Sequence, residues 1–332
     1  MEGHQHTNTS HSKKGWIRPV KNGIILLLVL GNTCLGQSFP NSNTDGKYYT
    51  VNGAKIWTVT VGKGTPLFII PGGPGNSHIT YRAFDSLYQS CMVVYFDPFG
   101  TGKSDTAKKI QEYSLRRSID DVEGLRIAMG FSTINILGHS FGTVVAQGYA
   151  IKYPTHISHL MLSLPIHSSD MWRQNNLNKE IEIYFPEVWD SIMKLRQQGR
   201  LSNDSLYEAI RSNVPLSFKF RYNPEGLSRT VNIPYPNKNN SQLALQMAGP
   251  DGDFNMTGDL SSFDFRKDLK NLTIPILIMA GRYDKIAPPK WTIQYKQFCP
   301  RCEFVFFEKS GHTIFREEPE KTFKLIREFL KK

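Results

Sequence analysis

Ser140, His312 and Asp284 are the residues whose types, order and settings could make and break an acyl bond. Ser140 is the centre of "GHSFG" (Gly138–Gly142), a match to Gly-x-Ser-x-Gly between the apolar run "TINIL" and the helical pattern "GTVVAQGYAIKYP". A strand-to-helix turn this tight tolerates little side chain on its flanks and raises the serine Oγ at the helix N-terminus. A serine there could equally cap the helix; the strand before it and the helix after it favour a nucleophile. A hydroxyl attacks only once a base takes its proton. His312, in "EKSGHTIF", occupies a loop between the last apolar run and the last helical pattern. His4, His6 and His11 lie in the N-terminal stretch, and His78, His156, His159 and His167 lack a comparable loop setting. His139 adjoins Ser140, and its side chain is expected to point away. Asp284, in "IMAGRYDKIAPP", follows the preceding apolar run, where an acid could orient the imidazole or simply form a turn. The order Ser, Asp, His matches hydrolases of the nucleophile-elbow type, not chymotrypsin-like or subtilisin-like enzymes.

The acyl chemistry needs donors aimed at a developing oxyanion. One N–H is expected from Phe141. "LFIIPGGPGNS" (Leu67–Ser77) offers the other: a buried strand runs into a loop with almost no side chains, and Gly73 is the expected donor. "YFDPFGTGKS" (Tyr95–Ser104) ends like a phosphate loop, but one residue separates Gly100 from Gly102-Lys103 where a Walker A loop has four. It reads instead as a turn in which Asp97 and two glycines shape the floor of a site. No metal-ligand cluster or cofactor motif is read: "FCPRCEF" holds one Cys-x-x-Cys, Cys299 and Cys302, with no second pair to complete a zinc site. In an exported chain that pair reads as a local disulfide ahead of a redox centre, and Cys91 reads as a core residue.

The elements that must position these residues alternate. Two strands join at Asn52-Gly53, then "TPLFIIP", a helical stretch near Tyr81–Gln89, "CMVVYFD", the helix "SIDDVEGLRIAMG" stopped by Gly130, "TINILGHS", a helix ending before Pro154, and "ISHLMLSLPI". This is α/β rhythm, a parallel sheet covered on both faces. It fails from about His167 to Phe265, where helical patches fall near Glu180–Gln197 and Ser205–Ser212. It resumes at "IPILIMAG", and "PEKTFKLIREFLKK" closes the chain with Phe323, Ile326 and Leu330 on one face. The expected organisation is a core in two halves, residues 37–166 and 266–332, with a mainly helical cap domain, residues 167–265, inserted between them.

The chain has 332 residues and a formal net charge of +11. Residues 1–36 read as a signal peptide: Lys13, Lys14, Arg18 and Lys21 precede the apolar "IILLLVL", and a small-residue cut site follows at Gly36. The run is far short of the ~20 residues of a spanning helix. Export to a periplasmic or secreted location is therefore expected, with lipid anchoring through Cys34 as the weaker reading. The remaining chain is +8, its Lys and Arg scattered among acids. That reads as a solvated basic surface, not a nucleic-acid partner.

"IIPGGPG", "YFDPFGTGKS", "LGHSFG", "GRYD" and "SGH" together resemble the proline iminopeptidase family of α/β hydrolases over residues 48–165 and 266–332. The resemblance implies a mostly parallel eight-stranded sheet with a cap, and release of N-terminal residues, often proline, from short peptides. It makes Ser140, Asp284 and His312 the triad, with Gly73 and Phe141 as oxyanion donors. Two positions depart: Pro71 stands where the family usually has His, and Phe99 where it has Arg. The family also holds the substrate's α-ammonium on cap carboxylates. "MAGPDGDFNMTGDL" is similar to a cap segment of tricorn-interacting aminopeptidases, which makes Asp253 one candidate with Asp251 beside it; Glu180, Glu182 and Glu187 are candidates for the second. Residues 167–265 carry 12 acids against 10 Lys and Arg, acidic by contrast with the rest. The alternative is a capped esterase or acyl hydrolase on the same core, since a fold does not dictate its substrate.

Overall fold

A computed structural model describes residues 45–174, 178–220, 222 and 234–332; the expected leader, residues 1–36, lies outside the described residues. The alternation read from the sequence becomes one eight-stranded sheet, β1 (Lys47–Val51), β2 (Ala54–Val61), β3 (Pro66–Ile70), β4 (Met92–Phe96), β5 (Ile134–His139), β6 (Ile157–Ser163), β7 (Ile276–Gly281) and β8 (Glu303–Phe307). Its spatial order is β1-β2-β4-β3-β5-β6-β7-β8. The first two strands form a hairpin and β2 pairs antiparallel with β4; the remaining pairings are parallel. Asn52 and Gly53 both take positive φ, 48° and 80°, as the two-residue turn requires.

The central strands β3, β5 and β7 are buried along their whole length. Side chains that alternate between two covered faces must be apolar on both, which is why these segments are continuous runs of Ile, Leu and Phe rather than alternating patterns. The helices α1 (Leu115–Ala128) and α2 (Phe141–Lys152) follow β4 and β5. Ser114 caps α1 by accepting from the Arg117 N–H, and Gly130 ends it at φ 78°.

The stretch between β6 and β7 carries six helices among the described residues, α3 (Ser169–Gln174), α4 (Asn178–Tyr184), α5 (Pro186–Gln197), α6 (Ser205–Arg211), α7 (Leu216–Phe220) and α8 (Ser241–Ala248). It has an apolar cluster of its own, built from Ile181, Val188, Ile192, Leu195, Tyr207 and Val214 and separate from the large cluster around the sheet. After β7 come two one-turn helices, α9 (Pro289–Thr292) and α10 (Tyr295–Phe298), then β8, α11 (Ile314–Glu317) and α12 (Pro319–Phe329). α12 buries Phe323, Ile326 and Phe329. The helix expected near Tyr81–Gln89 is a 3-10 segment, His78–Leu87, starting three residues earlier. Asp97 anchors its first residue by accepting from the His78 N–H. Cys299 and Cys302 are joined as a disulfide, and Cys91 is free and buried.

Candidate active site

The nucleophile turn is built from what its flanks exclude. A Cβ on Gly138 would run into the Gly142 carbonyl, and a Cβ on Gly142 into the Ile70 carbonyl of β3. With both side chains absent, α2 packs directly on the sheet and Ser140 is forced to φ 55°, ψ −124°. A non-glycine residue held in such a region costs on the order of 1–3 kcal/mol, which the surrounding packing must overdetermine. Here the Ser140 N–H donates to the Ser163 carbonyl at 3.0 Å and its carbonyl accepts from Thr143 Oγ1 at 2.6 Å.

Three loops at the carboxyl ends of parallel strands bring the sequence-read residues together. The ring atom His312 Nε2 lies 2.8 Å from Ser140 Oγ, and His312 Nδ1 lies 3.0 and 2.9 Å from the two Asp284 oxygens. Asp284 Oδ1 also accepts from the N–H groups of Ile286 and Ala287, at 2.7 and 2.9 Å. The turn-forming role weighed for this aspartate therefore coexists with contact to the imidazole. With Asp284 accepting at Nδ1–H, Nε2 is the nitrogen free to receive the serine proton. The His312 loop is pinned on its outer side, where Glu317 accepts from the Gly311 N–H and Glu318 from the Lys309 N–H and Ser310 Oγ.

Ser140, His312, Gly72 and Gly73 line one cavity of about 730 Å³. Phe141 opens α2 directly after Ser140, and among the described residues neither its N–H nor that of Gly73 donates elsewhere. The Gly72 N–H is engaged, donating to the Tyr81 hydroxyl at 2.7 Å. Asp97 is fully buried and accepts from the His78 ring, the Lys103 N–H and the Tyr235 hydroxyl, at 2.7, 2.9 and 2.7 Å. A Cβ on Gly102 would collide with this carboxylate, so the loop closes around Asp97 only with glycine there. Phe99, the departure from the family's arginine, packs on Tyr113 with the Arg117 guanidinium over its ring.

The carboxylates from the insertion separate. Asp253 lines the cavity; its Oδ2 accepts from the Tyr207 hydroxyl at 3.0 Å and lies 3.4 Å from Arg211. Asp251 does not line it: Arg196 holds it with two hydrogen bonds, 2.6 and 2.9 Å, and the Ser202 N–H adds a third. Glu180 is also off the lining, and Glu182 and Glu187 are exposed. The acidic excess of the insertion does not reach the cavity wall, where Arg173, Arg211 and Arg316 stand against the single carboxylate of Asp253 among the described residues.

Two features escaped the sequence reading. His139, expected to point away, donates from Nε2 to the His312 carbonyl at 2.8 Å and meets the Tyr81 hydroxyl at Nδ1, 2.9 Å. Burial, and then the neighbouring His312, push its pKa down to about 3. The segment 235–240 of the insertion is laced to two core loops. Its Lys238 carbonyl accepts from the Ser77 N–H, Asn240 N–H donates to the Gly75 carbonyl, and Asn237 and Asn240 side chains donate to the Gly100 carbonyl. These partners lie far away in the chain, Gly100 137 positions from Asn237, and no local pattern encodes them.

A family model for the α/β hydrolase fold matches residues 65–319. The chain is similar to a proline iminopeptidase of Heyndrickxia coagulans, 29% identical over 270 residues covering 81% of this chain and 91% of that one. It is similar to the proline iminopeptidase of Clostridioides difficile at 28% identity, covering 86% and 98%. Among solved structures, a proline iminopeptidase of Mycobacterium smegmatis superposes with a TM-score of 0.69 at 18% identity, covering 86% and 97%. An esterase of Thermogutta terrifontis superposes with a TM-score of 0.57 at 20% identity, covering 86% and 98%.

Proposed function

We propose that this chain, which belongs to the α/β-hydrolase fold family, is a serine aminopeptidase that releases N-terminal residues, proline or other small apolar ones, from short peptides. The observation that carries the reading is the constellation His312 Nε2 to Ser140 Oγ at 2.8 Å with Asp284 on the far nitrogen. In this reading Ser140 Oγ attacks the scissile carbonyl as its proton passes to His312 Nε2. The oxyanion is received by the Gly73 and Phe141 N–H groups, and Asp284 holds the imidazole in the tautomer that can accept. Collapse of the tetrahedral intermediate breaks the C–N bond. The leaving amine takes the proton from His312, and an acyl ester remains on Ser140. Water, deprotonated by the same imidazole, then hydrolyses that ester and restores the serine.

The peptide specificity is supported by the aligned relatives and by Asp253, a partly exposed carboxylate on the cavity wall that suits a substrate ammonium. Residues 1–36 serve in this reading as the export leader, and the mass of the mature N-terminus tests it. A second reading has one observation in its favour: Arg173, Arg211 and Arg316 reach the cavity wall, held there by Asp170, by Glu208 and Asp253, and by the Thr80 carbonyl, and suit an ester or acyl substrate that carries an acid. The deciding experiment is hydrolysis of proline and alanine arylamides with free and acetylated amines, beside neutral and carboxylate-bearing aryl esters. Cleavage restricted to free amines supports the aminopeptidase. Ester cleavage alone overturns it in favour of the second reading.

A further inference from the structure

On the wall of the same cavity, Gly72, Tyr81, His139 and His312 form a hydrogen-bond series in which each donor and acceptor has a single consistent assignment. The His312 carbonyl can only accept, so His139 Nε2 carries the proton across their 2.8 Å contact. In the neutral ring Nδ1 is then an acceptor, and the Tyr81 hydroxyl donates to it across 2.9 Å. The hydroxyl oxygen in turn accepts from the Gly72 N–H across 2.7 Å. Both side chains are buried, 4% and 5% exposed, and the Phe315 ring packs against both. Burial raises the Tyr81 phenol to about 12 and holds His139 neutral, so the series keeps one direction across the working pH range. A protonated His139 would turn Nδ1 into a donor facing a hydroxyl oxygen that already accepts from Gly72.

The two ends of this series matter. Gly72 precedes Gly73, and His312 carries the base. We propose that Tyr81 and His139 are positioning residues that couple the oxyanion loop to the base loop, so that the donor of Gly73 and Nε2 of His312 hold one spacing around the serine. Neither side chain is asked to exchange a proton with substrate. The inference rests on Ser140 being the nucleophile, but not on the peptide specificity.

The test therefore uses a short-chain aryl ester and the labelling rate of Ser140 by a fluorophosphonate, neither of which needs a free amine. Displacing a reacting group by about 1 Å can cost on the order of 10²-fold. Accordingly, Tyr81→Phe and His139→Leu are each expected to lower kcat about 10- to 100-fold with KM within about twofold. The double variant should be scarcely worse than either single one, because each cuts the same series. Glutamine can donate from its amide nitrogen to His312 and accept from Tyr81 on its oxygen, so His139→Gln should recover most of the lost kcat. Should His139→Leu fail to fold, Tyr81→Phe and His139→Gln decide the matter. Unchanged kcat in Tyr81→Phe, a His139→Gln as slow as His139→Leu, or multiplicative losses in the double variant would each overturn the coupling. Ser140→Ala separates the two levels: if it keeps full activity the nucleophile reading itself fails, and if it is dead while Tyr81→Phe is intact only the coupling fails.

Discussion

The sheet and the insertion solve the same problem, holding a functional side chain still, by opposite means. Ser140, Asp284 and His312 sit on loops that leave three parallel strands, and much of what fixes them lies near in sequence: glycines 138 and 142 around Ser140, two backbone donors on Asp284, Glu317 and Glu318 around His312, whose N–H reaches further, to the Phe220 carbonyl. The insertion has a small apolar cluster of its own and lends Met171, Leu243, Met247, Met256, Leu260 and Phe263 to the main core. It fixes its residues through partners distant in sequence, within itself as Arg196 fixes Asp251 and in the core as the 235–240 segment leans on its loops. Local geometry thus does more of the work at the strand ends, and partners distant in sequence do more of it in the insertion.

The comparison breaks most visibly at Ser140. Ser140→Ala should lower kcat by up to about 10⁶-fold while leaving the thermal midpoint close to that of the parent, because alanine keeps the same backbone conformation and removes only the hydroxyl. Burst kinetics and a melting curve read both. Asp284→Asn should cost about 10⁴-fold by favouring the wrong imidazole tautomer, measured as kcat on the aryl ester. Within the insertion, Ile192→Ala should destabilise by roughly 2–5 kcal/mol. Hydrogen exchange should place that loss in α4–α6 and leave the amides of β5 protected; loss of protection in β5 would show that the two regions are one cooperative unit.

A milder change sharpens the distinction. Asp253→Asn should raise KM about tenfold for free-amine substrates, the scale of one charge-assisted contact, with kcat nearly constant and ester hydrolysis untouched. The smallest effect concerns pH. His139 is held at about 3 and His167, through burial and then Arg266, at about 4, against about 6.5 for an unfolded imidazole. Between these limits the unfolded chain binds protons that the folded chain refuses. The stabilisation is complete above about pH 6.5 and declines as pH falls, by at most about 1.4 kcal/mol per pH unit for each histidine. Urea titrations at pH 7, 6 and 5 check this, and His139→Gln should remove its share of the slope.

What could be read from the sequence follows the same division. The elbow, the bare loop at residues 71–75 and the placement of Asp284 and His312 were legible because local backbone geometry dictates residue type there. Asp251 and Asp253 look alike in sequence; only Arg196, more than fifty positions away on α5, makes one a strut and leaves the other on the cavity wall. His139 was misjudged for the same reason. Its orientation is decided by a carbonyl 173 positions later, a pairing that no local pattern encodes.

The distance between nucleophile and base has a consequence for how the protein comes into being. Ser140 waits for a histidine 172 positions further along, which arrives only with the eighth strand. A chain that stops after six strands contains the serine but not the histidine, so the contact between them, and any activity that depends on it, requires the last two strands of the sheet.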